Sequence, residues 1–102
     1  MARQLRIQFP GALYHITACG NNKQNIFLRE DDYDDFLLIL GKACKRYNLI
    51  LHSYCLMSNH YHILIETPVG NISQGMRQIN SSYTQHFNKK HQTDHDGFNI
   101  PY

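Results

Sequence analysis

Two histidines one residue apart open the apolar run His60-Tyr61-His62-Ile63-Leu64-Ile65-Glu66. In an extended strand, residues i and i+2 point to the same face and lie roughly 6.5–7 Å apart along it. Both imidazoles can therefore turn toward one ion, and a His-x-His on a strand is in outline a bidentate metal site. An exposed strand face also tolerates histidine without any ligand. The pattern gains meaning only from the elements that position it.

The chain has 102 residues, enough for one domain spanning 1–102 with a single core. Its 42% apolar and 18% charged residues are those of a globular protein, and no apolar run approaches the roughly 20 residues of a membrane span. The net charge of +2 does not by itself indicate nucleic acid, so any basic signal must be local. Cys19, Cys44 and Cys55 form no CxxC pair and no signal peptide precedes them. They read as reduced thiols, used for packing, in a cytoplasmic protein.

Taken in order, the chain begins with a short basic arm carrying Arg3 and Arg6, closed by the turn residues Phe9-Pro10-Gly11. Ala12 to Cys19 alternates as a first strand, with Tyr14, Ile16 and Ala18 on one face and Leu13, His15, Thr17 and Cys19 on the other. Gly20-Asn21-Asn22-Lys23-Gln24 is a polar loop whose Gly and Asn residues tolerate left-handed backbone and offer amide donors. A first helix follows, with Tyr33, Phe36, Leu37, Leu40, Cys44 and Tyr47 on one face. Glu30, Asp31, Asp32, Asp34 and Asp35 gather at its start and Lys42, Lys45 and Arg46 near its end, matching the helix dipole. A carboxylate metal site at that start is the alternative use of the acids.

Leu49 to Met57 reads as strand two, Ser58-Asn59 as a tight hairpin, and His60 as the start of strand three, which ends at Thr67-Pro68 and Gly70. Asn71 is a candidate N-cap for a second helix with Ile72, Met76, Ile79, Tyr83 and Phe87 on one stripe. The tail from Gln92 has room for a short edge strand at most. This order predicts an α+β, ferredoxin-like sandwich: an antiparallel sheet with two helices on one face, βαββα plus a short or missing last strand. Strand three is then central. Tyr61, Ile63 and Ile65 face the helices, and His60, His62 and Leu64 face outward. His15 shares that outward face as a possible third ligand or substrate contact. Whether Cys55 or Tyr54 stands across from His62 depends on a hairpin register that composition does not fix.

The segments YHITACGNNKQNIF, CLMSNHYHILIE and MRQINSSYTQHFNKKH together resemble the HUH single-tyrosine transposases, in particular the REP-associated tyrosine transposases, from about Phe9 to His91. The resemblance implies DNA transposition, with Mg²⁺ or Mn²⁺ held by the two histidines of the HUH motif, here His60-Tyr61-His62. It further implies cleavage and strand transfer of single-stranded DNA hairpins through a tyrosine, by a homodimer. Two departures stand out. Cys19 occupies a position where the family usually has arginine, which removes a phosphate or base contact. The family's nucleophilic tyrosine lies on a further helix after strand four, so the chain reads as truncated before it. Tyr83 is the internal substitute, but its place in the apolar stripe reads as core, and no catalytic residue is assigned to it. Tyr102 has nothing to place it near the histidines.

Candidate DNA contacts are Arg3 and Arg6 in the arm, Asn21, Asn22 and Lys23 in the loop, and Arg77, Lys89 and Lys90 on helix two. Two further readings stay open. One is a non-catalytic remnant that binds hairpins without cutting them, and the other is a ferredoxin-like regulatory domain for a small ligand.

Overall fold

The alternation and helical stripes appear as expected in the computed structural model, which describes residues 9–93 and 98–99. Its elements are β1 (Ala12–Gly20), a 3-10 turn at Asn21–Lys23, α1 (Glu30–Tyr47), β2 (Ile50–Met57), β3 (His60–Thr67), α2 (Ile72–His91) and β4 (Phe98–Asn99). The strands form one sheet in the order β2-β3-β1-β4, with every pair antiparallel. This is the predicted ferredoxin-like plan, with β3 and β1 central and a two-residue last strand at the edge. Arg3, Arg6 and Tyr102 lie outside the described residues. No helix among the described residues is long and apolar enough to cross a membrane.

Period-two alternation sorts the central strands cleanly. Tyr61, Ile63 and Ile65 of β3 and Ile16 and Ala18 of β1 are at most 1% exposed, against Phe36 and Leu40 of α1 and Met76, Ile79 and Tyr83 of α2. Both helices therefore cover one face, and burial of these apolar side chains is the main force holding the layers together. Tyr33, Leu37, Cys44 and Tyr47 pack partly buried at the margin of this core. Gly75 lets α2 approach closely, since a Cβ there would stand 2.7 Å from Leu49 Cδ1.

Three local readings need correction. Ile26 and Phe27, just past the polar loop, are core residues whose backbone N–H groups both donate to the Ser58 carbonyl. Phe27 also stacks on Tyr33 at 4.5 Å between ring centroids. Asn71 stands at the N-cap of α2 but makes no capping bond; its Nδ2 donates to the Tyr47 carbonyl instead, tying the end of α1 to the start of α2. Of the three cysteines only Cys44 packs against the core, and Cys55 is exposed.

The acidic start of α1 does more than match a dipole. Asp32 is 1% exposed, and its Oδ2 accepts from the Leu28 and Arg29 N–H groups at 2.8 and 3.0 Å, closing the first helical turn. From α2, Lys90 Nζ reaches Asp31, Asp32 and Asp35 at 2.8–2.9 Å, His91 Nε2 lies 2.9 Å from Asp32 Oδ2, and His86 Nε2 lies 2.9 Å from Asp35 Oδ2. Burial pushes the Asp32 carboxyl upward, but bonds from Lys90, His91, Leu28 and Arg29 outweigh it and hold the group well below the usual carboxylate range. Lys90 likewise lowers Asp35, while the three carboxylates raise Lys90. The acids are thus taken up by α2 cations in a seam between the helices.

Candidate metal centre on the open sheet face

The face of the sheet away from the helices is set by the register. β1 pairs with β3 so that Thr17 opposes His62, Cys19 opposes His60 and His15 opposes Leu64. β2 pairs so that Cys55 opposes His62 and Met57 opposes His60. Directly opposed residues share a face, so the histidine pair is flanked by Thr17 and Cys19 on one side and by Cys55 and Met57 on the other. A bulge between Leu51 and Ser53 leaves His52 as the extra residue, and its Nε2 lies 3.0 Å from Glu66 Oε1 at the far end of β3.

Each imidazole of the pair is oriented through its Nδ1. His60 Nδ1 donates to Asn59 Oδ1 at 2.8 Å, which leaves the Nε2 lone pair to a ligand. His62 Nδ1 lies 3.0 Å from Thr17 Oγ1 and 3.2 Å from His15 Nε2. In the tautomer that donates from Nδ1, its Nε2 also keeps a lone pair. Metal-binding histidines characteristically hand the second ring N–H to such an oxygen, which fixes both tautomer and ring direction. The two rings stand 5.2 Å apart between centroids and nearly perpendicular, at 85°. The donor set therefore fits a divalent ion, with His60 and His62 as the ligands.

His15 is brought to the pair as a neighbour of His62, with ring centroids 5.3 Å apart. Its Nε2 points at His62 Nδ1 rather than at a position shared with His60. Among the described residues no three His, Cys, Asp or Glu side chains are already gathered around one ion position. Asn21 and Lys23 are exposed in the turn that follows β1, at the His60 end of the face, where the Gly20 N–H donates to the Asn59 carbonyl. Gly20 is required there, because a Cβ would fall 2.2 Å from the Gln24 carbonyl oxygen. The Asn22 side chain lies outside the described residues. Arg77, Lys89 and Lys90 stand on α2, in the layer on the other side of the sheet, and Lys90 is engaged by three carboxylates. As contacts to the same strand of DNA as the histidine pair they are misplaced.

Tyr83 is 1% exposed and its hydroxyl donates to the Ile26 carbonyl at 2.6 Å. Burial first, and the nearby Asp32 and Asp35 next, push its phenol well above the ordinary tyrosine value. A phenol so placed is a poor nucleophile. Thr17 and Asn59, the orienting partners, are the residues that motif reading missed. Alternation already put Thr17 on the outward face, but pairing it with His62 needed the β1–β3 register.

Comparison with known proteins agrees with this layout. A family model described as IS200-like transposase matches residues 8–98. Among solved structures, a REP-associated tyrosine transposase bound to a REP hairpin superposes with a TM-score of 0.76 at 15% identity, covering 97% of this chain and 58% of that one. A protein from Deinococcus radiodurans R1 assigned as a transposase superposes with a TM-score of 0.65 at 17% identity, covering 87% of this chain and 68% of that one. At such identities these likenesses are of fold. No curated protein matches in sequence. The chain spans a little over half the length of the hairpin-bound transposase. The family match takes in both open-face histidines and both helices: the chain belongs to the IS200-like transposase family.

Proposed function

We propose that this chain carries the metal half of a single-stranded DNA transposase, with His60 and His62 holding Mg²⁺ or Mn²⁺ against the scissile phosphate of a DNA hairpin. The observation that carries the reading is the pair itself: two imidazoles side by side on an open sheet face, each with Nδ1 tied to a polar partner. A divalent ion bound there polarises a phosphate oxygen and offsets the charge that develops on it. Asn59 and Thr17 hold the two rings so that little reorganisation is needed on binding. Asn21 and Lys23, at the His60 end of the face, approach the strand's phosphates and add a salt-dependent contribution to affinity.

Cleavage needs a tyrosine whose phenolate attacks phosphorus while the 3′ oxygen departs, leaving a 5′ phosphotyrosine that conserves the energy of the broken phosphodiester. Among the described tyrosines, Tyr14, Tyr54 and Tyr61 lie in register on the helix side of the sheet, and Tyr33, Tyr47 and Tyr83 belong to the helices. The nucleophile therefore comes from outside the described residues, from this polypeptide or from the second subunit of a homodimer. The same placement favours a second reading, in which these residues bind a hairpin without cutting it.

Titration of the chain with Mn²⁺, with and without a single-stranded hairpin, tests the proposal. One ion per chain is expected, lost when His60 and His62 are both replaced by alanine, together with metal-dependent strengthening of hairpin binding. Mn²⁺ binding that survives the double substitution would overturn the metal reading. Hairpin binding indifferent to both metal and substitution would support the second one.

A further inference from the structure

The register places a thiol beside each histidine of the pair, and one of these has no structural use. Cysteine is among the most buried residue types, yet Cys55 is exposed, on the edge strand β2, directly opposite His62 and diagonal to His60. Directly opposed side chains start from Cβ atoms roughly 4.5–5.5 Å apart and diagonal ones from roughly 7–8 Å. Bonds of about 2.3 Å to sulfur and about 2.0–2.1 Å to nitrogen span those separations around one ion. Cys19, opposite His60, lies on β1, two strand spacings from Cys55, or roughly 9.5 Å across the sheet. The two thiols are too far apart to share an ion with the pair. Cys19 is also half-buried between β3 and β4, while Cys55 has the open side of an edge strand around it.

We propose that Cys55 is a third protein ligand to the ion held by His60 and His62, so that this centre favours a borderline-soft ion, Zn²⁺, over Mg²⁺. The inference rests on the reading of the histidine pair as a metal site. The three side chains are not gathered beforehand, so closure takes a turn of the Cys55 side chain about χ1 between staggered rotamers, with the backbone in place. The thiol gives up its proton to solvent as the metal–sulfur bond forms. Magnesium takes oxygen ligands in a near-octahedral shell and gains nothing from a thiolate, whereas sulfur and imidazole together suit zinc. Three protein ligands leave a fourth position for water or a phosphate oxygen.

Cobalt(II) reports thiolate ligation by a charge-transfer absorption in the near ultraviolet, and serves as the probe for zinc. The full chain should develop this band with one equivalent of Co²⁺, lose it on addition of Zn²⁺ and keep it in excess Mg²⁺. Cys55→Ser should abolish the band and weaken Zn²⁺ binding while leaving Mn²⁺ binding intact; Cys19→Ser should retain the band. A wild-type chain that binds Mn²⁺ through His60 and His62 but shows no band overturns the role of Cys55 and leaves the metal site standing. A band that persists in Cys55→Ser also overturns it. Failure of the wild-type chain to bind Mn²⁺, Co²⁺ or Zn²⁺ brings down both readings.

Discussion

Histidine is used in two opposite ways on the two sides of this sheet. At the seam between α1 and α2, His86, His91 and Lys90 each meet a carboxylate within 3 Å. On the open face, the partners of His60 and His62 are an amide, a hydroxyl and another imidazole. The seam consumes its own charge and spends its polar groups on holding α2 against the start of α1. The face orients its rings without neutralising them or occupying their outward nitrogens. The same residue type is structural where its ligand is internal and functional where the ligand has to arrive.

Substitutions that separate stability from binding would break or sharpen this contrast. The largest effect belongs to Asp32→Ala, which strips two helix-start N–H groups and the Lys90 and His91 contacts from a buried carboxylate. A loss of about 3–5 kcal/mol in urea unfolding is expected, of the size seen when one partner of a buried pair is removed, with Mn²⁺ affinity of the folded fraction unchanged. Acid should act on the same seam. Asp32 and Asp35 have folded-state pKa values below their ordinary ones. Their contribution is therefore complete above the unfolded carboxylate value of about 4. It drains away as pH falls from there through the lowered folded-state values. Thermal unfolding followed from pH 5 downward should show this loss, and Asp35→Asn should make it shallower.

A smaller effect is expected on the open face from Thr17→Val, which removes the hydroxyl beside His62 Nδ1. Metal affinity should drop by about tenfold, the lower end for losing an orienting partner, with little change in melting temperature. A large change in stability instead would mean that the face is built like the seam. The smallest effect separates two lysines. Lys23→Ala should lower the salt dependence of single-strand binding by roughly 0.7 in the log–log slope, whereas Lys90→Ala should leave the slope unchanged, because its charge is already committed.

Most of the fold was legible because its signals are local. Alternation in β1 and β3 and the stripes of α1 and α2 each sort their own faces, and chain order with right-handed crossovers then leaves one topology. His60 and His62 were legible for the same reason, being two residues apart on one strand. What escaped was what depends on distant partners. Nothing near Asp32 announces that Lys90 and His91 will close over it from 58 and 59 positions away. Asn71 has a cap's composition and position, yet the Tyr47 carbonyl outcompetes the helix for its side chain. Ile26 and Phe27 sit too close to a polar loop for any period to declare them buried. Cys55 rather than Tyr54 beside His62 was a question of register, settled by the two-residue turn at Ser58-Asn59.

The bulge at His52 gives strand β2 two independent phases. Leu51 stays in phase with Ile65 on the helix side although it is three positions from Tyr54, which pairs with Ile63 on that same side. The odd spacing is absorbed at one point, so the core half of the strand and the half beside the histidine pair do not have to agree. Residue gains and losses at position 52 fall on the core half, because the hairpin alone indexes Cys55 to His62. The chain thus has a slip joint, through which insertions and deletions can be tolerated upstream while the neighbours of the metal pair keep their places.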